Sequence, residues 1–383
     1  MNQPRVDVIV PTFNRSSYLP ECLDSLLNQT LAPAQLIVVN DGSVDDTEDV
    51  LRSYSASITC VSTVNLGKPR AIDLGLERVR ADYVWFFDDD NVAIRDALER
   101  FVEPLERYPE YGFSYSTKYL APSGPLGRIG RPTAETSIPP EAECHLLGAL
   151  LDHNFMGGAG VLARSRCYEE IGGFRPELIR SQDYDLVIRL ARRYPGIRVA
   201  GGPTYYSRQH SGSRGSQSDT FSSDLRFAKW LEYDRMIFRR LYREMLLEEY
   251  LPPGVGLHDA LREAHLRRLA AMSSKLLLAE ALEEVEVLAG LPESAREPLS
   301  PREHAIVQGL VRKRPYYRSG WIMDEPAFLD LIRKRANAPA VAALRRELAR
   351  TLVVEARARL LRHPGGTAGL LRRAARLYLN LPG

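Results

Sequence analysis

Three consecutive aspartates, Asp88-Asp89-Asp90, close the apolar run Tyr83-Val84-Trp85-Phe86-Phe87. Carboxylates beside a buried strand are costly unless something cationic neutralises them. Hard divalent cations such as Mg²⁺ or Mn²⁺ suit that task, because they take oxygen ligands from one or two carboxylates and from substrate phosphates. The competing reading is a solvated acidic turn that caps a helix over Asn91–Arg107. Two more aspartates, Asp183 and Asp185, open a candidate helix near Ser181. At two-residue spacing they cannot share a helix face, so one should enter a crevice while the other turns outward or into a cap.

The elements around these residues alternate. Val6–Val10 reads as a strand broken by Pro11-Thr12-Phe13-Asn14-Arg15, and a helix over Leu19–Gln29 follows. Gln35–Val39 is a second strand ending in Asn40-Asp41-Gly42-Ser43, with Asp45-Asp46-Thr47 at a helix start. Ile58–Val64 is a third strand, after which Asn65-Leu66-Gly67-Lys68-Pro69-Arg70 opens a helix over Ala71–Val79. The run Tyr83–Phe87 is the fourth strand, apolar on both faces as in a parallel sheet. Strands and helices at this spacing give a doubly wound α/β sheet. Ligands of such sheets bind beyond the carboxyl ends of the strands, where every one of these polar clusters falls.

Several stretches in this order resemble the nucleotide-sugar glycosyltransferases of the GT-A fold, specifically those like family 2. They are Val8–Arg15, Val38–Thr47, Asn65–Lys68, Phe86–Asn91, Gly172–Leu178 and Gln182–Leu186. The resemblance spans roughly the first 210 residues and leaves the rest of the chain uncovered. It implies a Rossmann-like, doubly wound mixed sheet, a nucleotide-sugar donor, a divalent cation (Mn²⁺ or Mg²⁺) and transfer to a hydroxyl acceptor, either a glycan, a lipid-linked sugar or a small molecule. On this reading Pro11, Thr12, Asn14 and Asp41 frame the base and ribose, and Lys68 or Arg70 approaches the base or phosphates. Asp90 is the direct metal ligand, with Asp88 helping through the ion or its waters and Asp89 nearer the ribose. His210 closes the metal site as it does in some relatives, and Gly158 lies near the bound sugar. Asp183 matches the family's general base, the carboxylate that takes the acceptor proton during inverting transfer. Gln182 departs from the pattern, since relatives usually carry an acid there. A UDP-sugar is the preferred donor and a GDP-sugar the second choice.

The chain has 383 residues, 44% apolar and 26% charged, as expected of a globular protein with two units. Residues 1–220 form the expected catalytic domain and 221–383 a helical C-terminal domain. Charge divides between them: residues 221–383 carry 28 Lys+Arg against 20 Asp+Glu, and residues 1–220 carry 23 against 29. Cys22, Cys60, Cys144 and Cys167 show no CxxC pairing, so neither zinc nor a disulfide framework is expected. Cys22 and Cys60 are read as small core hydrophobes. Ala121–Pro132, rich in glycine and proline, reads as a mobile loop over the active face, and Ser213–Ser218 as a segment that orders over donor phosphates through Arg214.

From Asp224 onward the pattern turns helical, with further helices over His258–Leu288, Pro301–Arg312, Glu325–Arg335 and Ala340–Arg362. Between Leu344 and Tyr378 nine arginines face two glutamates. That basic stretch either packs on its own domain with a solvated face or lies on an anionic membrane surface. Nucleic acid is not expected, since no stacking platform accompanies the basic excess. Met1–Arg5 leads straight into a strand and no apolar run approaches the ~20 residues needed to span a bilayer. The expected compartment is therefore the cytoplasm, with the inner face of the membrane as its peripheral option. Oligomerisation is left open. A retaining transferase on the same fold, and a non-catalytic nucleotide-sugar binding protein, are the alternatives to an inverting enzyme.

Overall fold

Seven successive buried residues, Val6–Thr12, form β1, the strand on which the N-terminal unit is built. α1 (Leu19–Leu27), β2 (Gln35–Asp41), α2 (Thr47–Ser53), β3 (Thr59–Thr63), α3 (Lys68–Leu76) and β4 (Tyr83–Phe86) follow in strict alternation. β1 pairs in parallel with β2 on one side and β4 on the other, and β2 pairs in parallel with β3. The order of winding therefore reverses between β1 and β4, the position where such sheets bind ligands. Gly75 lets α3 lie directly on the sheet: a Cβ there would come within 2.6 Å of Ile9. At the other end of β1, buried Asp7 accepts the backbone N–H groups of Arg80 and Ala81 and so fixes the entry to β4.

The computed structural model describes residues 4–124, 127–209, 225–292, 298–312, 321–360 and 367–379. Beyond β4 the pattern changes. β5 (Val92–Ala93) precedes α4 (Ala97–Arg107), so the helix expected over Asn91–Arg107 is interrupted by a two-residue strand. Next come β6 (Phe113–Tyr115), β7 (Lys118–Pro122), β8 (Ala134–Glu135), α5 (Leu146–Asp152), β9 (Val161–Arg164), α6 (Ser165–Ile171), α7 (Gln182–Arg193), β10 (Gly196–Arg198) and β11 (Tyr205–Gln209). The main sheet runs β10-β6-β9-β4-β1-β2-β3, with β9 antiparallel to both neighbours. A second sheet, β5-β11-β7-β8, stands beside it. The result is a Rossmann-like mixed sheet of the GT-A type. Trp85, fully buried on β4, donates its indole N–H to the Ala159 carbonyl at 2.9 Å and so draws the Gly158–Gly160 turn against the strand ends.

Two expectations change here. In the stretch Ala121–Pro132 the described residues make hydrogen bonds that a free loop would lack: Gly130 N–H donates to the Pro122 carbonyl, Gly124 N–H to that of Arg128, and Ile129 N–H to the Glu21 carboxylate. Cys60 is exposed, because β3 is the edge strand and most of its residues face solvent, whereas Cys22 is buried in the core.

The chain divides by compactness into Met1–Tyr233 and Asp234–Gly383, a boundary inside α8 (Arg226–Glu244). The second unit is helical: α9 (Leu261–Ser274), α10 (Leu278–Ala289), α11 (Pro301–Arg312), α12 (Pro326–Lys334), α13 (Pro339–Leu360) and α14 (Thr367–Leu379). The single helix expected over His258–Leu288 breaks where Leu276 takes a left-handed φ of 56°. Buried Lys275 beside that break pairs with Asp234 at 3.6 Å. Val341, Leu344, Leu348 and Leu352 line the buried side of α13 at helical spacing, packed with residues such as Phe328, Ile332 and Leu288.

Candidate active site

The parallel strands end at one level. Thr12 stands opposite Asn40 and Asp41 opposite Thr63, and Asp88 lies just past the β4 end. Pro11 and Thr12 are buried at the β1 end. Asn14, at a positive φ of 53°, ties the first loop to the second: its Oδ1 accepts the Val44 N–H at 2.8 Å and its own N–H donates to Ser43 Oγ at 2.9 Å. Asp41 accepts the N–H groups of Leu66 at 2.7 Å and Gly67 at 2.9 Å, shaping the turn into α3. Burial pushes the Asp41 carboxyl up, and those two donors oppose the shift. Arg70 is exposed one turn into α3, where its charge acts on Asp73.

The aspartate triplet carries more negative charge than its neighbours offset. Asp88 is paired with Lys68, and Asn91 Nδ2 donates to it at 3.3 Å. Desolvation pulls the Lys68 ammonium down, but Asp88, Asp183 and Asp89 more than reverse this and hold it above the usual lysine range. Asp89 has Arg15 at 3.9 Å, yet burial and the charge of Asp90 push its carboxyl up to about 7. The Asp90 carbonyl accepts the Arg208 Nε–H at 2.9 Å. That arginine, on β11 with its side chain fully buried, also donates to the Gly127 carbonyl and to Glu21, and lies 4.7 Å over the Tyr18 ring. It therefore clamps the aspartate loop to α1 and to the loop after β7. His210, Arg214 and the rest of 210–224 lie outside the described residues. Among the described residues no group of three or more His, Cys, Asp or Glu forms a ready-made metal cage. The donor chemistry nonetheless fits a hard cation: crowded carboxylate oxygens, one raised to about 7 by burial and its neighbour's charge, at a strand end.

Across the crevice, Asp183 stands in the first turn of α7. Asn154 Nδ2 donates to Asp183 Oδ2 at 3.1 Å, and Asn154 Oδ1 accepts the N–H of Gly157 at 2.9 Å. Gly157 has φ 69°, and a Cβ there would reach within 2.8 Å of both Lys118 Nζ and the Tyr205 hydroxyl. Gly158 lies against Asp183, where an added Cβ would meet the Asp183 Cβ at 3.3 Å. Desolvation lowers the Lys118 ammonium while Asp183 and Asp88 oppose the shift, and burial together with the same two acids raises the Tyr205 hydroxyl. Lys68, Lys118 and Tyr205 thus each feel both Asp88 and Asp183, which puts the two acids around one space. Asp185 does something else: it is buried and paired with Arg175 at 2.9 Å and Arg189 at 2.7 Å. It turns neither outward nor into a cap, because those two guanidiniums compensate it inside. Gln182 is buried beside it.

The structure thus brings together Thr12, Asp41, Lys68, Asp88, Asp89, Asp90, Gly158 and Asp183, and leaves Arg70 on the exposed flank. It adds Lys118, Asn154, Tyr205, Arg208 and Glu21. Asn154 and Arg208 sit inside stretches with sequence signals, but Lys118 and Glu21 carry none: strand pairing brings Lys118 to the site, and Arg208 engages Glu21 from α1.

Residues 7–158 match the model of the family described as Glycosyl transferase family 2. The chain is 28% identical over 199 residues to an uncharacterized glycosyltransferase of Rickettsia felis, a match covering 50% of this chain and 32% of that protein. It is 25% identical over 196 residues to a chondroitin synthase of Escherichia coli, covering 50% and 27% respectively. The chain spans between 31% and 59% of the length of the first curated relatives it matches. Among solved structures, the S. aureus TarS fragment 1-349 in complex with UDP-GlcNAc has the same fold, with a TM-score of 0.51 at 15% identity over 98% of this chain and 92% of that one.

Proposed function

We propose that the protein moves a sugar from a nucleoside-diphosphate donor to a hydroxyl acceptor with inversion, a reading supported by the match of residues 7–158 to the Glycosyl transferase family 2 model. The acceptor class is a glycan, a lipid-linked sugar or a small hydroxylated molecule. The observation that carries this reading is the shared space between Asp88–Asp90 at the end of β4 and Asp183 at the start of α7, with Lys68 and Lys118 feeling both. Pro11, Thr12, Asn14 and Asp41 line the base and ribose side. Asp41 and Asn14 act there chiefly by fixing the loops that form the wall. Lys68 faces the diphosphate, and Asp88 and Asp89 border the donor. A uridine donor is preferred, which the UDP-GlcNAc complex of the TarS fragment supports.

Asp90 and His210 would hold a divalent cation, Mn²⁺ or Mg²⁺, with Asp88 assisting. When bound, that cation offsets the charge of the departing diphosphate. Asp183 takes the proton from the acceptor hydroxyl as that oxygen attacks the anomeric carbon. Asp183→Asn keeps the size of the side chain and removes its basic oxygen. It should lower turnover by roughly 10²–10⁴ with donor affinity nearly intact. A panel of UDP- and GDP-sugars, screened by thermal shift with and without Mn²⁺, identifies the donor, and the anomeric configuration of the product tests inversion. A retained configuration overturns the base assignment, and no transfer with any donor that binds favours a binding protein.

A second reading concerns the helical unit. Arg346, Arg350, Val354 and Arg357 are exposed on α13 at spacings of four, four and three residues, opposite the buried stripe Leu344, Leu348 and Leu352. Glu347 is buried and Glu355 pairs with Arg312, so acidic groups along α13 do not offset this stripe. It suits peripheral contact with anionic lipid. Replacing Arg350 and Arg357 by Glu should abolish sedimentation with vesicles containing phosphatidylserine, and undiminished sedimentation would reject the contact.

A further inference from the structure

Asn154 makes two hydrogen bonds with opposite chemistry, and both end on parts of the crevice. Its carbonyl Oδ1 receives the N–H of Gly157, which holds the left-handed turn leading to Gly158. Its amide Nδ2 donates to Asp183 Oδ2 at 3.1 Å. Because the acceptor end is committed to Gly157, the amide cannot flip without losing both bonds, so Nδ2 is fixed as the donor to Asp183. Oδ1 of Asp183 accepts no hydrogen bond among the described residues. Gly158 packs against the Asp183 Cβ.

We infer that Asn154 is a positioning residue for proton transfer: it locks the Asp183 carboxylate through Oδ2 and leaves Oδ1 to meet the acceptor hydroxyl. The inference rests on the reading of Asp183 as the base. Charged and titratable groups act on Asp183 from several elements. Lys118 faces it from β7, Lys68 from α3, Tyr205 from β11, and Asp88 from the β4 end. At the end of α5, Asp152 is paired with His153, and within α7 Asp185 is occupied by Arg175 and Arg189. Among the described residues Asn154 donates the one neutral hydrogen bond to the Asp183 carboxylate.

The decisive variant is Asn154→Asp. It keeps an oxygen for the Gly157 N–H, so the turn survives, but it replaces the donor to Asp183 with a second carboxylate. Donor loss and like charge both disfavour ionised Asp183. Two measurements on the full chain test this. In ¹³C-carboxyl NMR of aspartate-labelled protein, the Asp183 signal is identified by its loss in Asp183→Asn, and in Asn154→Asp it should titrate at higher pH than in the parent. With UDP-glucose and UDP-N-acetylglucosamine plus Mn²⁺, nucleotide release should fall about 10- to 100-fold at neutral pH, its acid limb should move upward, and the donor KM should stay within about twofold. An Asp183 signal that titrates as in the parent overturns the inference, whatever the turnover. Full turnover of Asp183→Asn overturns the base reading instead, so the two failures are distinguishable.

Discussion

Glu284 in the helical unit and Asp89 in the N-terminal unit behave in opposite ways. In the helical unit Glu284 is fully buried, but His265 stands at 2.9 Å, Arg268 at 2.6 Å, and the Tyr242 hydroxyl donates to it. Burial alone would raise its carboxyl, yet these donors hold it below the usual glutamate range. Glu303 is treated alike by Arg262 and the Ser300 N–H. At the β4 end, Asp89 has one arginine at 3.9 Å and two aspartate neighbours, and it is pushed up to about 7. A carboxylate whose charge is matched by built-in partners is holding a fold together. One left in excess is held by the fold for something that comes from outside.

The largest effect should come from breaking the excess. Asp90→Ala should abolish transfer and Mn²⁺-dependent donor binding while the fold survives, as read by circular dichroism. Turnover of this variant that persists in EDTA would show that the triplet does not serve a cation. Asp89→Asn sharpens the point as a stability control, with no loss of melting temperature expected.

The matched acid should behave in reverse. Glu284→Gln leaves half-buried Arg268 without its countercharge and takes the carboxylate from His265 and Tyr242, a loss that typically costs about 3–5 kcal/mol. The helical unit should then melt about 6–20 °C lower by calorimetry, with donor binding by the other unit unchanged. A drop below about 2 °C would mean that the network is dispensable. pH tests the same acids without mutation. Glu284 and Glu303 are held below their unfolded values, so their stabilisation is complete above the unfolded glutamate range and fades as pH falls through it and below. The helical unit should hold its melting temperature from pH 7 to about 5 and lose it below about 4.3. Loss of stability on raising the pH through 5 to 7 would contradict the assignment.

The same contrast explains what the sequence discloses. The half of the sheet from β1 to β4 is legible because a helix separates each strand from the next, and local periodicity suffices. Asp88–Asp90 stand out since acids after an apolar strand have few innocuous explanations. The chain beyond β4 obeys no such local rule. Val92–Ala93 is a strand only because Tyr205–Tyr206, far along the chain, pairs with it. Lys118 reaches the site only because β7 pairs with β11. Cys60 looks apolar in sequence, but edge position, which no local pattern encodes, exposes it. Asp185 differs from Asp183 through Arg189 of α7 and Arg175 from the chain before it, which converge on it only in the folded protein.

The smallest expected effect belongs to Asp41, which sits between the two classes. It sits at the strand ends like the triplet but is buried, and its carboxylate is engaged by two backbone N–H groups, as a structural acid would be. Each carboxylate oxygen can still accept a further bond, so a donor base or ribose has room to add one. Asp41→Ala removes the anchor of the Asn65–Gly67 turn and with it the placement of Lys68. Burial raises the Asp41 carboxyl, so part of what its removal loses is offset by relief of that strain. The donor dissociation constant should therefore rise only about tenfold, or 1.4 kcal/mol, as read by calorimetric titration with a UDP-sugar, while turnover at saturating donor changes less. A rise below twofold, about 0.4 kcal/mol, would make Asp41 a purely structural acid and move the border between the two classes inward to Asp88.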